Sequence, residues 1–201
     1  SLTEMINHSK SVRLGVQKSL MVVDMPYKTY DTSVSALKNS KKIMKETKCD
    51  AVKLEGGKKI IKQIRALTKN NIPVMGHLGL LPQSAKGKFK SKGKTTKEIN
   101  QLINDALLLQ KNGVFAIVLE CIKTPIAKQI TKSLKIPTIG IGSSVYCDGQ
   151  VLVTDDLIGL NQTNIKFVKK FLNVKKYINS GLRKFAYEVR TSKYPTKKHS
   201  Y

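Results

Sequence analysis

Tryptophan is absent from this chain, and arginine is confined to Arg13, Arg65, Arg183 and Arg190 although Lys and Arg together number 37. Sequence readers of nucleic acid rely on the planar, bidentate guanidinium and on stacking aromatics. The net charge of +24, which first suggests a polyanion partner, therefore reads better as lysine dispersed over helix faces. Lys41, Lys42, Lys45 and Lys48 show the pattern, as do Lys169, Lys170, Lys175 and Lys176. Only weak, salt-sensitive, non-specific adsorption to nucleic acid is expected from it. Cysteine is equally sparse. Cys49, Cys121 and Cys147 are odd in number and have neither C-x-x-C spacing nor paired histidines nearby, which excludes a disulfide or zinc frame and favours a reducing, cytoplasmic setting. No apolar run approaches the roughly 18 residues of a membrane span. No signal peptide is visible. The chain opens at Ser1 without an initiator methionine, inside what reads as a helix, so an N-terminal segment is expected to lie outside it.

With 201 residues, 40% of them apolar, the chain is expected to form one domain, 1–201, that buries roughly 70% of its unfolded surface. Short Val, Ile and Leu runs alternate with amphipathic stretches, the pattern of βα units on a parallel sheet. The predicted strands are 19–24 (SLMVVD), 51–55 (AVKLE), 72–77 (IPVMGH), 114–120 (VFAIVLE), 136–141 (IPTIGI) and 150–153 (QVLV). Ser1 with Glu4, and Thr95 with Glu98, have capping-box spacing. Asn112-Gly113 suits a helix end, and residues 165–190 read as a tail of one or two helices.

A Gly-rich phosphate turn is also missing, because the first strand runs into Met25-Pro26-Tyr27. An open nucleotide-binding sheet would normally carry one there, and Gly140-Ile141-Gly142 alone is a weak signal. The remaining architecture is a (β/α)8 TIM-type barrel with about six of its eight units present. Three runs finish on a carboxylate, Asp24, Glu55 and Glu120, and a fourth on His77. Acidic residues occupy 13 of 201 positions, so three such endings exceed what scatter would give. In a parallel barrel these side chains converge on the C-terminal rim, where barrel enzymes assemble their sites. The plainer alternative is that strand ends meet solvent and collect helix caps.

The same residues carry a resemblance. Val22-Val23-Asp24-Met25-Pro26, Asp50 to Gly57 (DAVKLEGG), Pro73 to Leu80 (PVMGHLGL) with Pro82-Gln83-Ser84, Val118-Leu119-Glu120-Cys121, Ile136 to Gly142 (IPTIGIG) and Cys147 to Val153 (CDGQVLV) resemble ketopantoate hydroxymethyltransferases. They stand in that family's order and spacing over nearly the whole chain. The resemblance implies transfer of a hydroxymethyl group from 5,10-methylenetetrahydrofolate to 3-methyl-2-oxobutanoate, giving 2-dehydropantoate for pantothenate and coenzyme A synthesis. It also implies Mg²⁺ served by Asp24 and Glu55, keto-acid binding by Lys53 and Asp24, Glu120 as proton acceptor, and a homo-oligomer, a decamer in the family.

These residue types suit that chemistry. A divalent ion stabilises the charge of an enolate, carboxylate oxygens suit a hard ion, and a positioned carboxylate can remove the proton. Lys53 shares a strand face with Glu55 and offsets substrate charge. His77 either orients substrate or is a structural, hydrogen-bonded histidine.

Three features depart from the family pattern. The family's first two strands, and an Asp-Ser pair whose aspartate is a metal ligand, have no counterpart, so the chain reads as a C-terminal part or an incomplete gene product, with little or no activity expected. The loop 85–97 carries six lysines. It reads as solvated and flexible, or alternatively as an attractor for the anionic glutamate tail of the folate. Ser143-Ser144 replaces a small Ala-Gly pair. Two other functions remain open, a Mg-dependent keto-acid lyase or aldolase of the same architecture and a non-catalytic nucleic-acid-binding protein.

Overall fold

A computed structural model describes residues 1–85, 90–161 and 164–201. The described residues form two compact units, Ser1–Val151 and Leu152–Tyr201. The first contains α1 (Leu2–Gly15), β1 (Val22–Asp24), α2 (Ser33–Thr47), β2 (Ala51–Glu55), α3 (Ile61–Thr68) and β3 (Val74–Gly79). It continues with α4 (Thr96–Lys111), β4 (Ala116–Glu120), α5 (Thr124–Ser133), β5 (Thr138–Ile141) and β6 (Gly149–Gln150). All six strands lie in one parallel sheet in the order β1-β2-β3-β4-β5-β6. Sequential parallel neighbours joined by crossover helices are the βα repeat of a TIM-type barrel. The fold is consistent with such a barrel left incomplete, with six of the usual eight strands among the described residues.

One face of the sheet makes the core. Val52, Leu54, Val74, Ile117 and Leu119 are completely buried there, in one cluster with Ile43 of α2, Ile64 and Leu67 of α3, Leu109 of α4 and Ile130 of α5. Gly76 in β3 permits this packing, because a Cβ at that position would stand 3.0 Å from Leu109 Cδ1. The strand run-ins 19–21, 72–73, 114–115 and 136–137 lie outside the ladders, so four strands start two or three residues later than their apolar runs. β3 runs on to Gly79, so His77 lies inside it rather than at its end. β6 is reduced to two residues, and Val151 and Val153 beyond it are exposed.

The caps explain the helix starts. Ser1 and Glu4 form a full capping box, and Thr32 with Ser35 forms another that the S/T-x-x-E/Q pattern does not cover. Thr95 accepts from the Glu98 amide, but the Glu98 carboxylate turns away to accept from the amides of Gly93 and Lys94, both at 2.8 Å. Thr95–Glu98 is therefore half a box. α4 gives way at Asn112 to Gly113, whose φ of +84° favours glycine.

The second unit holds the four-residue α6 (Thr154–Leu157) and α7 (Val174–Arg190). Of the tail predicted as helical over 165–190, the described part before Asn173 is not helical. Its polypeptide instead bonds back to α6, with the amides of Phe171 and Val174 donating to the carbonyls of Leu157 and Ile158 at 2.9 Å. No helix among the described residues is long and apolar enough to cross a membrane.

Candidate active site

Register brings the polar strand ends together. Asp24 lies opposite Lys53, Glu55 opposite His77, and Gly79 opposite Glu120. Side chains two residues apart on a strand share a face, so Lys53 and Glu55, and likewise Val118 and Glu120, point to the side away from the helices. His77 stands opposite Val118 on that same side. All five sequence-predicted residues thus meet at one rim.

Their contacts form a chain. Lys53 Nζ donates to Asp24 Oδ2 at 2.9 Å and lies 3.2 Å from His77 Nδ1. An ammonium only donates, so Nδ1 is the acceptor and the neutral imidazole carries its hydrogen on Nε2. That Nε2 lies 3.2 Å from Glu120 Oε2 without hydrogen-bond alignment, and it is buried without a hydrogen-bond partner. His77, whose sequence reading left a structural role open, is the central element linking Lys53 to Glu120.

Glu55 stands beside this chain, its Oε1 3.8 Å from His77 Nδ1, while its Oε2 accepts from the Gln83 amide at 3.2 Å. Burial raises the Glu55 carboxyl above its ordinary pKa range, and the nearby Asp24 charge adds to this. The Lys53 charge and the Gln83 amide act in the opposite direction, as His77 would if its ring were protonated.

Two residues escaped the sequence reading. Gln83, in the loop after β3, ties three rim segments together. Its amide reaches Glu55, its Nε2 donates to the Met25 carbonyl at 3.0 Å, and its Oε1 accepts from Tyr30 OH at 3.3 Å. Burial, with added repulsion from the charges of Glu55 and Asp24, pushes the Tyr30 phenol up to about 12, so it remains a hydrogen-bond donor. The only sequence signal for Gln83 is its place in Pro82-Gln83-Ser84, which says nothing of these partners. Cys121, directly after Glu120, has a φ of +52°, and burial raises its thiol pKa, so it stays a protonated thiol rather than a nucleophile.

Among the described residues, no group of three or more His, Cys, Asp and Glu side chains is arranged to hold a metal ion. Asp24 Oδ1 is nonetheless a buried carboxylate oxygen without a hydrogen-bond partner, and the Glu55 carboxylate is near enough to feel its charge. Magnesium often takes only one or two carboxylates and completes its shell with substrate and water. An oxygen-only pair with an orphaned atom fits such an ion.

Part of the lysine-rich loop is anchored rather than free. The Lys92 amide donates to the Cys121 carbonyl at 2.8 Å, the Lys92 carbonyl accepts from the Lys123 amide at 3.0 Å, and Lys92 Nζ stands 4.0 Å from Glu98. Residues 86–89, among them Lys88, lie outside the described residues. Both hydroxyls of Ser143-Ser144 are engaged. Ser143 Oγ donates to the Ile122 carbonyl and Ser144 Oγ accepts from the Tyr146 amide.

Known proteins resemble this chain along nearly its whole length. The family profile described as ketopantoate hydroxymethyltransferase matches residues 1–197. The 3-methyl-2-oxobutanoate hydroxymethyltransferase of Pelagibacter ubique (strain HTCC1062) is 62% identical over 201 residues, which cover 100% of this chain and 78% of that protein. Its namesake from Clostridioides difficile (strain 630) is 45% identical over 205 residues, with 100% and 74% covered. Among solved structures, a putative lyase/mutase from Burkholderia cenocepacia J2315 aligns with a TM-score of 0.55 at 11% identity, covering 94% of this chain and 68% of that one. A 2,3-dimethylmalate lyase, a PEP mutase/isocitrate lyase superfamily member, aligns with a TM-score of 0.50 at 12% identity, covering 70% and 50%. At such identities the likeness concerns the fold alone. The rim chemistry, the whole-chain family match and the 62% identity together mean that this chain belongs to the ketopantoate hydroxymethyltransferase family, hydroxymethyl-transferring enzymes of pantothenate biosynthesis.

Proposed function

We propose that the rim catalyses hydroxymethyl transfer from 5,10-methylenetetrahydrofolate to 3-methyl-2-oxobutanoate, giving 2-dehydropantoate. The observation that carries this reading is the contact chain Asp24–Lys53–His77–Glu120 with Glu55 beside it, a cation and three carboxylates gathered from separate strands. Asp24 and Glu55 would hold a magnesium ion, with Asp24 Oδ1 the free ligand atom. When bound, that ion supplies Lewis-acid stabilisation of charge on the keto oxygen, worth several kcal/mol.

Lys53 and Asp24 bind the keto acid, the ammonium balancing its carboxylate. Glu120 removes the proton from C3, and the released electron pair delocalises onto the keto oxygen. The same carbon then bonds to the donor's methylene carbon. Cleavage of both methylene carbon–nitrogen bonds and uptake of one water yield the hydroxymethyl group and tetrahydrofolate. His77 is a positioning residue. With its Nδ1 lone pair occupied by Lys53, it places an N–H 3.2 Å from Glu120 Oε2, close enough to orient that carboxylate once the two groups align.

The three free cysteines support a cytoplasmic enzyme. Ile178, Leu182, Phe185 and Val189, exposed along one stripe of α7, support a homo-oligomer. The 201-residue chain itself is proposed to have little or no transfer activity. Six strands leave the rim open, and two metal carboxylates stand where the family resemblance implies three.

Proton exchange at C3 of 3-methyl-2-oxobutanoate in D₂O with Mg²⁺, followed by NMR, isolates the first step. Exchange above the protein-free rate is expected, with a loss of about 10²- to 10⁴-fold in Glu120→Gln. Equal exchange in the variant would remove Glu120 from its role. Conversion of both substrates to 2-dehydropantoate within the normal enzymatic range of roughly 1–10³ s⁻¹ would contradict the low activity proposed for this chain.

A further inference from the structure

Asp24 is the last residue of β1, and the polypeptide after it, 25–32, contains neither helix nor strand before α2 begins. Connecting segments of this kind are ordinarily the more mobile parts of a fold. This one is bonded to three other elements. Thr29 Oγ1 closes it on itself through the Pro26 carbonyl at 2.6 Å, and Asn39 of α2 donates to the Thr29 carbonyl at 2.6 Å. Gln63 of α3 donates from Nε2 to the Asp31 carbonyl at 2.9 Å. Tyr30, only 8% exposed, donates to Gln83 Oε1, and Gln83 Nε2 donates in turn to the carbonyl of Met25, the residue next to Asp24.

Two observations set these bonds apart from ordinary loop packing. The first is that both carboxylates of the proposed cation site are tied to one residue. The Gln83 amide holds Glu55 Oε2, while the Gln83 side chain holds the backbone directly after Asp24 and is itself held by Tyr30. The second is Gln63, which is buried at 8% exposure with its Oε1 lacking any hydrogen-bond partner. A buried amide oxygen without a partner costs stability that an apolar side chain of the same length would not. What the amide contributes instead is the N–H donated to the loop.

We propose that Tyr30 and Gln63 are positioning residues that brace loop 25–32 and so fix Asp24 relative to Glu55, making the pair prefer a small divalent cation to a large one. The proposal rests on the reading of Asp24 and Glu55 as a cation site. Magnesium demands oxygen ligands at about 2.0–2.1 Å in near-octahedral geometry, whereas calcium accepts about 2.3–2.6 Å and irregular shells. A braced pair penalises the larger ion. A loosened pair adapts to it. The brace therefore shows itself in the ratio of two affinities rather than in either one alone.

The test is displacement of bound Mn²⁺ by Mg²⁺ and by Ca²⁺, followed by electron paramagnetic resonance of the released Mn²⁺, in the presence of 3-methyl-2-oxobutanoate. It is run on the wild-type chain, Tyr30→Phe, Gln63→Met and the double variant, with thermal melting in metal-free buffer alongside. The wild-type chain is expected to favour Mg²⁺. Each single variant is expected to lower the Mg²⁺-to-Ca²⁺ affinity ratio about two- to tenfold, the size of one lost hydrogen bond, and the double variant at least as far. Gln63→Met keeps the length of the side chain and removes the orphaned oxygen, so it is expected to melt no lower than wild type.

An unchanged ratio in either single variant overturns the assignment of that residue. A fall that comes only together with a lower melting temperature overturns it as well, since a merely structural side chain would do the same. Equal affinity of the wild-type chain for the two ions defeats the brace alone, whereas no displaceable Mn²⁺ on the wild-type chain defeats the cation site itself.

Discussion

The two faces of one sheet follow opposite rules. Against the helices, β2 to β4 bury Val52, Leu54, Val74, Ile117 and Leu119 completely, in one apolar cluster with side chains of α2 to α5. On the other face the same strands carry Lys53, Glu55, His77 and Glu120, with His77 only 3% and Glu55 only 7% exposed. Burying ionisable groups costs stability unless each is paired, and here the pairing is incomplete. Asp24 Oδ1 and His77 Nε2 are buried without hydrogen bonds. One face therefore supplies stability, while the other spends part of it to hold charges ready for a ligand.

Breaking the apolar face should have the largest effect on folding. Leu109→Ala removes a fully buried side chain of α4 that packs over Gly76, at a cost of about 2–5 kcal/mol. Urea unfolding should show the loss. If it were below that range, the core would be looser than its burial indicates.

A smaller effect is expected from Gln83→Ala, which removes the bonds to the Met25 carbonyl and the Tyr30 hydroxyl and loosens the amide that holds Glu55. At about 0.5–1.5 kcal/mol per hydrogen bond, keto-acid affinity in the presence of Mg²⁺ should fall roughly five- to tenfold, with little change in unfolding midpoint. Unchanged affinity on calorimetric titration would detach this loop from the site.

Glu55→Gln sharpens the comparison most gently. Because burial raises the Glu55 carboxyl, its contribution to stability is complete below the unfolded value of about 4.3 and is lost as pH rises through the folded value. The glutamine variant is neutral throughout. Its melting temperature should match wild type near pH 4 and exceed it increasingly toward neutrality. A wild-type advantage at neutral pH would mean that the Glu55 charge is a net stabiliser.

What the sequence made legible follows from this division. The apolar face writes itself as Val, Ile and Leu runs, so β1 to β5 were foreseeable, β2 to the residue, whereas β6 shares only Gln150 with its predicted run 150–153. Strand starts were overextended because hydrophobicity marks burial, whereas the ladder begins only where a neighbouring strand offers partners, as at Val22 opposite Ala51. The rim was legible as strand-final Asp24, Glu55 and Glu120, since parallel strands bring their ends to one side. Gln83 and Tyr30 were not, because a contact between loops 53 residues apart leaves no periodic trace. For the same reason the stretch before α7 read as helix, since its amides find partners at Leu157 and Ile158 rather than within itself.

The account depends most on Asp24 and Glu55 acting as one cation site. Mn²⁺ titration followed by electron paramagnetic resonance tests this directly on the wild-type chain, Asp24→Asn and Glu55→Gln, each with and without 3-methyl-2-oxobutanoate. The account predicts one bound ion in the wild-type chain, tighter with the keto acid present, and at least about tenfold weaker binding in either variant. Equal Mn²⁺ affinity in all three proteins, or no effect of the keto acid, would contradict it.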